Sequence, residues 1–411
     1  MKCPLVEISQ FCQTGSGGTP PRNNVGDYYG GDIPWVKSGE LNEDIVLHTE
    51  ERITELAIKE SSAKMVPAGS ILVAMYGATV GKTALLGIDA ATNQAICNII
   101  PKPEVADTRY VWYALKNQLP YLLAQRVGGA QPNISQQIIK KSKIALPPPS
   151  EQRRIVEILD KADQLRKLRA EADKKAARIF PALFSKMFGD PESNPCGWNK
   201  QPLFELVEIG TRLVDPNKSE YSELPHIGGE QIEKNSGVVL EYKTARESEL
   251  RSSKFVFSEK HILFSKIRPN LNKVAFPRFK GLCSADVYPL LPKTSSISPW
   301  YLIAVLRSNA FLNFALTHSD RLRIPKLNKE QLGSFLLPVP DSNVMTVFDD
   351  QAENIDAMQT RRHKSREKIE VLFSILLSRA FSGNLTANWR EAHMKELLAE
   401  MEQQAKYLNG N

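Results

Sequence analysis

The stretch at residues 76–86, YGATVGKTALL, carries glycines, a lysine and a threonine in an order that could cradle a nucleotide phosphate. That chemistry requires two glycines with four residues between them, then Lys and Ser or Thr at the start of a helix, so that backbone N–H groups wrap the phosphates. Here only three residues separate Gly77 from Gly81, and Gly87, Asp89 and Asn93 interrupt any helix beyond Lys82 and Thr83. The flanking SILVAM and NQAICNIIP read as short apolar strands bounded by turn residues, so the segment is expected to be strand, Gly-rich turn, strand. A nucleotide-hydrolysing enzyme built on the 77–83 loop is the alternative weighed below. Other catalytic constellations are incomplete. SNPCGW at 193–198 imitates the Asn/Asp-Pro-Pro-aromatic amine site of methyltransferases, but Cys196 replaces the second proline and no Gly-rich cofactor loop lies upstream. The triplet Glu241-Tyr242-Lys243 could serve a nuclease, yet no matched acidic partner is evident. His48, His226, His261, His318, His363 and His393 share no metal-ligand spacing. Neither catalytic residues, nor a metal, nor a cofactor of its own is expected.

What must position any functional residues is a chain of 411 residues, enough for two or three domains. Hydrophobic content of 42% with 24% charge is that of a soluble globular protein, and no apolar run reaches the roughly 18 residues that would span a membrane. The opening MKCPLVEISQF has no sustained apolar stretch, so no signal peptide is expected. Five cysteines, odd in number, far apart and without a CxxC pair, fit a reducing cytoplasm rather than a disulfide framework or structural zinc. The net charge of +7 favours a polyanionic partner.

The chain is written twice. Sliding it by 191 residues brings Pro34 onto Pro225, Ser61 and Ser62 onto Ser252 and Ser253, and Ile71 and Leu72 onto Ile262 and Leu263. The same offset pairs Pro101 with Pro292, Tyr110 with Tyr301, Leu115 with Leu306, Ala124 with Ala315 and Leu146 with Leu337. The second copy of YGATVGKTAL is IRPNLNKVAF, which keeps Lys82 as Lys273 and Ala84 as Ala275 but replaces the two glycines by Arg268 and Asn272. The shared element is therefore a polar, basic turn between strands, which suits a surface that touches a polyanion.

After each globular half comes Pro-rich punctuation, LPPPS and LPVPD, and then a helical tract, since Pro starts a helix well and cannot sit inside one. In the first tract Ile155, Ile158, Ala162, Leu165, Arg169, Ala172, Ala176, Ile179 and Leu183 alternate spacings of three and four, the signature of a coiled-coil seam. Leu159 and Leu168 fall on the outer face, where they are expected to be exposed until a partner covers them. The second tract shows a weaker seam through Phe348, Ala352, Ile355, Ile369, Leu372 and Leu376, with RRHKSREK read as an outer face. The two helices are expected to pair antiparallel. A helix of about 30 residues is about 45 Å long, more than one turn of duplex DNA at roughly 34 to 36 Å. Two similar readers joined by such a rod would form a ruler for a split DNA site.

The segment LPPPSEQRRIVEILDKADQLRKL, with LFSKMFGDPESNPCGW after it, closely resembles the conserved region of type I restriction-modification specificity subunits. IPWVKSGEL, YGATVGKTAL and FSGNLTANWR resemble the same family, so the likeness covers essentially the whole chain; the second copy LPVPDSNVMTVFDDQAENI is degraded and the tail beyond Trp389 is an extension. The resemblance implies an α+β fold with two similar mixed α/β target-recognition domains, each followed by a long helix, the helices pairing as an antiparallel coiled coil. The corresponding division is 1–149 and 190–340 for the recognition domains, 150–189 and 341–384 for the helices, and 385–411 for a C-terminal helical extension. It also implies a non-catalytic subunit that binds double-stranded DNA and docks two modification subunits, which carry the S-adenosylmethionine chemistry, and two ATP-dependent restriction subunits. A stand-alone two-domain DNA binder is the other reading.

Candidates for DNA contact are basic and amide residues in the expected turns, because Arg and Lys reach guanine O6 and N7 while Asn and Gln pair with adenine. In the first half these are Lys37, Thr79, Lys82, Arg126, Gln131 and Asn133; in the second, Lys266, Arg268, Asn270, Lys273, Arg321, Arg323 and Lys326. GGAQPN and HSDRLRIPK occupy matching places before the last segment of each half, which raises those two loops above the others.

Overall fold

The strand Ile71–Ala74 is apolar at every position and buried at every position, the pattern of a strand covered on both faces. In the computed structural model, which describes residues 3–124, 133–293, 296–319 and 325–409, it is hydrogen-bonded antiparallel to Thr83–Leu86 on one side and Ile96–Pro101 on the other. Because successive side chains of a strand point to opposite faces, Ile71 and Val73 enter one core with Tyr110, Trp112 and Tyr113, while Leu72 and Ala74 enter another with Val36, Ala84 and Leu86.

The chain divides into two compact units, residues 1–168 with 367–411, and residues 169–366. Their sheets have one topology. In the first unit the strand order is Cys12–Ser16, Ile96–Pro101, Ile71–Ala74, Thr83–Leu86, then Ile45–Val46. In the second it is Val207–Ile209, Val287–Pro292, Ile262–Ser265, Val274–Ala275. A further sheet in each unit also matches, in the orders Glu51–Ile53, Tyr29–Val36, Ala90–Thr92, Met65–Val66 and Lys243–Thr244, Pro225–Ile227, Gly281–Cys283, Lys254–Phe257, the last extended by Leu213–Val214. The duplication read from sequence is thus a duplication of a mixed α/β architecture, as an α+β fold of two similar domains implies.

The helices used below are α1 (Thr108–Ala124), α2 (Pro149–Ala176), α3 (Ile179–Phe188), α4 (Pro299–Leu306), α5 (Asn309–Thr317), α6 (Ser342–Phe381), α7 (Ala387–Ala392) and α8 (Met394–Asn409). Each unit takes a stretch of both α2 and α6. In the first unit Arg166 meets Glu370 at 2.8 Å and lies over the Phe373 ring. In the second, Arg362 meets Asp173 at 3.0 Å, and Phe180, Phe184 and Phe188 pack on Phe348. One tract ascends in number as the other descends, so the pairing is antiparallel.

The phase of the first helix differs from the expected seam. Ile155, Val156, Leu159 and Asp163 are buried, whereas Leu165 is 47% exposed and Ile179 49% exposed. Leu159, expected outside, is fully buried; Leu168 is 56% exposed. The reason is that polar residues occupy the inner face and are satisfied there. Asp163 accepts from Arg166 at 3.1 Å and Lys167 at 2.9 Å, and an apolar-only search passes over such positions. The helical tract also breaks after Ala176 and restarts at Ile179. In the second tract Phe348, Ala352 and Ile355 are buried, but Phe373 takes the inner position instead of Leu372. Arg362, from the stretch read as an outer face, turns inward to Asp173.

The C-terminal extension belongs to the first unit. Glu151, fully buried at the start of α2, accepts from Thr386 at 2.6 Å and from Arg390 of α7 at 2.6 and 2.9 Å. Gln404 of α8 donates to the carbonyls of Val105 and Pro147, the same two acceptors used by Gln152. A buried carboxylate deprived of its cation is costly, so Arg390→Ala is expected to destabilise the first unit by about 3 to 5 kcal/mol. Denaturant unfolding checks this; a loss below about 1 kcal/mol would show that Glu151 finds another partner or water.

Candidate nucleic-acid interface

The turn that raised the question of phosphate binding is a short 3-10 turn, Gly77–Thr79, between the strands Ile71–Ala74 and Thr83–Leu86. Both of its glycines have left-handed backbone, φ 69° at Gly77 and 81° at Gly81. In the second unit the corresponding Arg268 and Asn272 keep that conformation, at φ 50° and 46°, although a side chain there is disfavoured except on Gly and, less so, Asn. The glycines are explained by the hairpin's path. No helix follows either turn, so its N–H groups do not converge as a phosphate cradle would require.

Each turn is joined to the second candidate loop by the same bonds. Met75 donates its N–H to Ala95 and accepts from Ile134, and Tyr76 bridges Asn133. In the second unit Lys266 donates its N–H to Asp286 and accepts from Leu327, and Ile267 bridges Lys326. Arg268 adds a bond to the Pro325 carbonyl at 2.7 Å. The backbone therefore gathers Thr79, Lys82 and Asn133 in one unit, and Arg268, Asn270, Lys273 and Lys326 in the other. Arg126, Gln131, Arg321 and Arg323 lie outside the described residues.

The cations in these clusters are not equally available. Lys82 is exposed and donates to Asn42 at 2.7 Å, and Lys273 donates to the Gly229 carbonyl. Both reach the loop that follows the strand Tyr29–Val36 or its counterpart Pro225–Ile227, so the lysine kept by the duplication is a tether between loops. Lys37 bonds Glu50 at 2.8 Å and Glu51 at 3.1 Å, and its pKa is raised by these acids, the Glu50 hydrogen bond foremost. Lys266 is folded back onto the Ala285 carbonyl and the Tyr288 ring, and burial first, then the charge of Lys326, lowers its pKa. Arg268, Asn270 and Asn133 are exposed and Lys326 half-buried; these project toward solvent with the fewest internal commitments. Asn194 of SNPCGW spends its side chain on both backbone groups of Trp198, closing a tight turn. Among the described residues no group of three or more His, Cys, Asp or Glu could hold a metal. No helix of the described residues is long and apolar enough to cross a membrane.

Residues 4–177 and 195–369 both match the model of the type I restriction modification DNA specificity domain. The chain belongs to this family. It is similar to the EcoDI specificity subunit of Escherichia coli, at 27% identity over 327 residues, 70% of this chain and 72% of that one. It is also similar to the MjaIX specificity subunit of Methanocaldococcus jannaschii, at 29% identity over 283 residues, 63% of this chain and 65% of the relative. Among solved structures, a chain of a type I R-M system shares the fold at TM-score 0.55 and 17% identity, covering 93% of this chain and 98% of that one. The S subunit of M. genitalium does so at TM-score 0.52 and 16% identity, over 92% and 96%.

One electrostatic feature of this specificity chain escaped the reading of sequence. In the first unit Lys116 of α1 donates to Asp44 at 2.6 Å, and Lys167 of α2 donates to the same carboxylate at 2.7 Å, fastening the 42–47 loop to both helices. Burial alone would raise the pKa of Asp44, but the two lysines prevail and hold it at about 2. The signal available in sequence was the 191-residue offset, which places Asn235 opposite Asp44 and Arg307 opposite Lys116. A carboxyl with a depressed folded pKa stabilises above its unfolded value and ceases to as pH falls through the folded one. Asp44 should contribute on the order of 2 kcal/mol at neutral pH, lost between about pH 4 and pH 2. Asp44→Asn is expected to lower stability at pH 7 and to remove that part of the acid dependence, measured by urea unfolding across the range. Parallel curves for variant and parent would sink this assignment.

Proposed function

We propose that this chain is the DNA-reading specificity subunit of a type I restriction-modification complex. Each recognition domain reads one half of a split sequence on double-stranded DNA, and the helical tracts set the distance between the halves. The observation that carries this reading is the repetition, bond for bond, of a basic turn bridged to a second polar loop in two units of one topology. An isolated phosphate-binding enzyme would need neither two copies nor a turn whose glycines are dispensable. Arg268, Asn270, Asn133 and Lys326 are the leading contacts, with Arg126, Gln131, Arg321 and Arg323 on the adjoining loops. Thr79, Lys82 and Lys273 support the same surface, and Lys37 and Lys266 act through the loops that they fasten.

The chain itself is non-catalytic in this reading and works in the cytoplasm. Methyl transfer and ATP-driven restriction belong to two modification and two restriction subunits docked on it. The paired helices support docking, since they leave apolar residues exposed: Leu165, Leu168, Val371 and Ile375 in the first unit, Ile179 and Met358 in the second. Apolar side chains left in water along paired helices suit an interaction face.

Two tests follow. If Arg321 or Arg323 is bidentate to a guanine, its replacement by Ala should cost about 1 to 3 kcal/mol and relax specificity at one position. If Lys326 meets phosphate, Lys326→Ala should weaken all sequences alike and reduce the salt slope by about one. Unchanged affinity and salt dependence in all three variants would remove this loop from the interface. The ruler is tested by inserting a second DQLR after Arg166, which lengthens the helix by about 6 Å and adds a little over one turn. At about 3.4 Å per base pair the recognised halves should move apart by one or two base pairs with their sequences unchanged. Methylome sequencing of a host carrying the variant reads this directly. An active complex with an unchanged spacer would show that this helix is not the ruler.

A further inference from the structure

Within the second unit lies a cavity of about 730 Å³, bounded by the end of α2 and α3, the 233–238 loop, the junction of α4 with α5, and the middle of α6. Its size is that of a site for a drug-sized or nucleotide-sized molecule. The duplicated first unit supplies the comparison. In the first unit the equivalent loop is drawn down onto the helices by Asp44, which neutralises Lys116 and Lys167. At the same offset the second unit keeps the cation, as Arg307, and loses the anion, because Asn235 stands where Asp44 would be.

Arg307 is consequently a guanidinium whose own fold supplies only carbonyl oxygens. It donates to Val274 through Nε at 3.1 Å and to Ser236 through Nη2. Among the described residues no carboxylate is in ion-pair contact with it. Asp356, whose field does reach it, is committed to Arg278 at 3.0 Å. Burial pushes the pKa of Arg307 down to about 10, the mark of a cation short of compensation. The helix that is continuous through Lys116 is interrupted here. α4 ends at Leu306 and α5 starts at Asn309, with Ser308 as its N-cap, and both Ser308 and Asn309 border the cavity. Lys234 and Arg366 line it as well, and the carboxylates on its wall are engaged elsewhere, Asp173 with Arg362, Glu233 with the Ser236 hydroxyl and Asp190 with the Glu192 N–H, while Phe180 and Phe184 form an aromatic wall. A guanidinium and the start of a helix converging beside aromatic surface match a phosphate attached to a flat ring.

We propose that this cavity binds a small phosphate-bearing molecule of nucleotide size, its phosphate on Arg307 and the start of α5 and its ring toward Phe180 and Phe184. The proposal does not depend on which DNA sequence the chain reads. The decisive variant is Asn235→Asp, which puts a carboxylate on the cavity wall at the residue that corresponds to Asp44, in a left-handed position, φ 62°, that Asp tolerates. Calorimetric titration of the full chain uses three probes, AMP, inorganic phosphate and a non-cognate duplex of about 20 base pairs. AMP is expected to bind with Kd of roughly 0.1 mM or tighter, phosphate more weakly, and Asn235→Asp to weaken AMP about tenfold or more while its melting temperature stays equal or rises. Arg366→Gln, which leaves the Arg307 carbonyl bonds intact, is expected to weaken AMP severalfold. Failure of the parent chain to bind AMP, or equal binding by Asn235→Asp, overturns the proposal. So does a result in which Asn235→Asp changes only duplex affinity, since the phosphate would then come from the DNA backbone.

Discussion

Burial of the inner face of α2 is the constraint on which the first unit rests. Ile155, Val156 and Leu159 lie in the same core as Tyr110, Trp112 and Tyr113 of α1 and Phe373 and Ala380 of α6. The helix can therefore settle only where the sheet's covering helix and a segment more than two hundred residues later meet it. Polar groups on that face are tolerated because each is paired: Glu151 with Thr386 and Arg390, Gln152 with two backbone carbonyls, Asp163 with Arg166 and Lys167. Left unpaired, any of these would cost more than an apolar replacement, so they fix the register of the helix rather than merely adding stability.

The same scaffold explains the resemblance of one hairpin to a nucleotide loop. A two-stranded turn of this path needs left-handed backbone at two positions, and glycine is the residue that adopts it without strain. The second copy meets the same demand with Arg268 and Asn272. The fold dictates the dihedrals of this turn and leaves its side chains free to differ between the copies.

Duplication also permits comparison of one position in two electrostatic settings. Lys116 and Arg307 occupy equivalent places in the repeat, the first inside a helix and the second where the helix is interrupted; the first is neutralised by Asp44, while the second shares a cavity lining with Asn235. Where the first unit fastens this loop through a carboxylate, the second holds it through the bond from Arg307 to the Ser236 carbonyl, with a cavity beside it. The two units share a sheet topology without sharing a surface, which is what two readers of different half-sites require.

The α+β class and the family came from the resemblance of its motifs; by itself the sequence determined the twofold repeat, the strand–turn–strand character of the Gly-rich segment and the two long helical tracts. These are legible because they rest on local spacing and on self-similarity, which survive without knowledge of the fold. Tertiary structure decided the rest. The buried face of α2 runs through Asp163 and not Leu165, because ion pairs supplied by other elements make a polar inner face acceptable. The C-terminal extension has its place because a buried carboxylate at Glu151 draws in Arg390 from 239 residues away. Which lysines remain available to a polyanion depends on acids and carbonyls brought close by folding, as for Lys37 and Lys266. Composition counts charges, but only packing determines which of them are already satisfied.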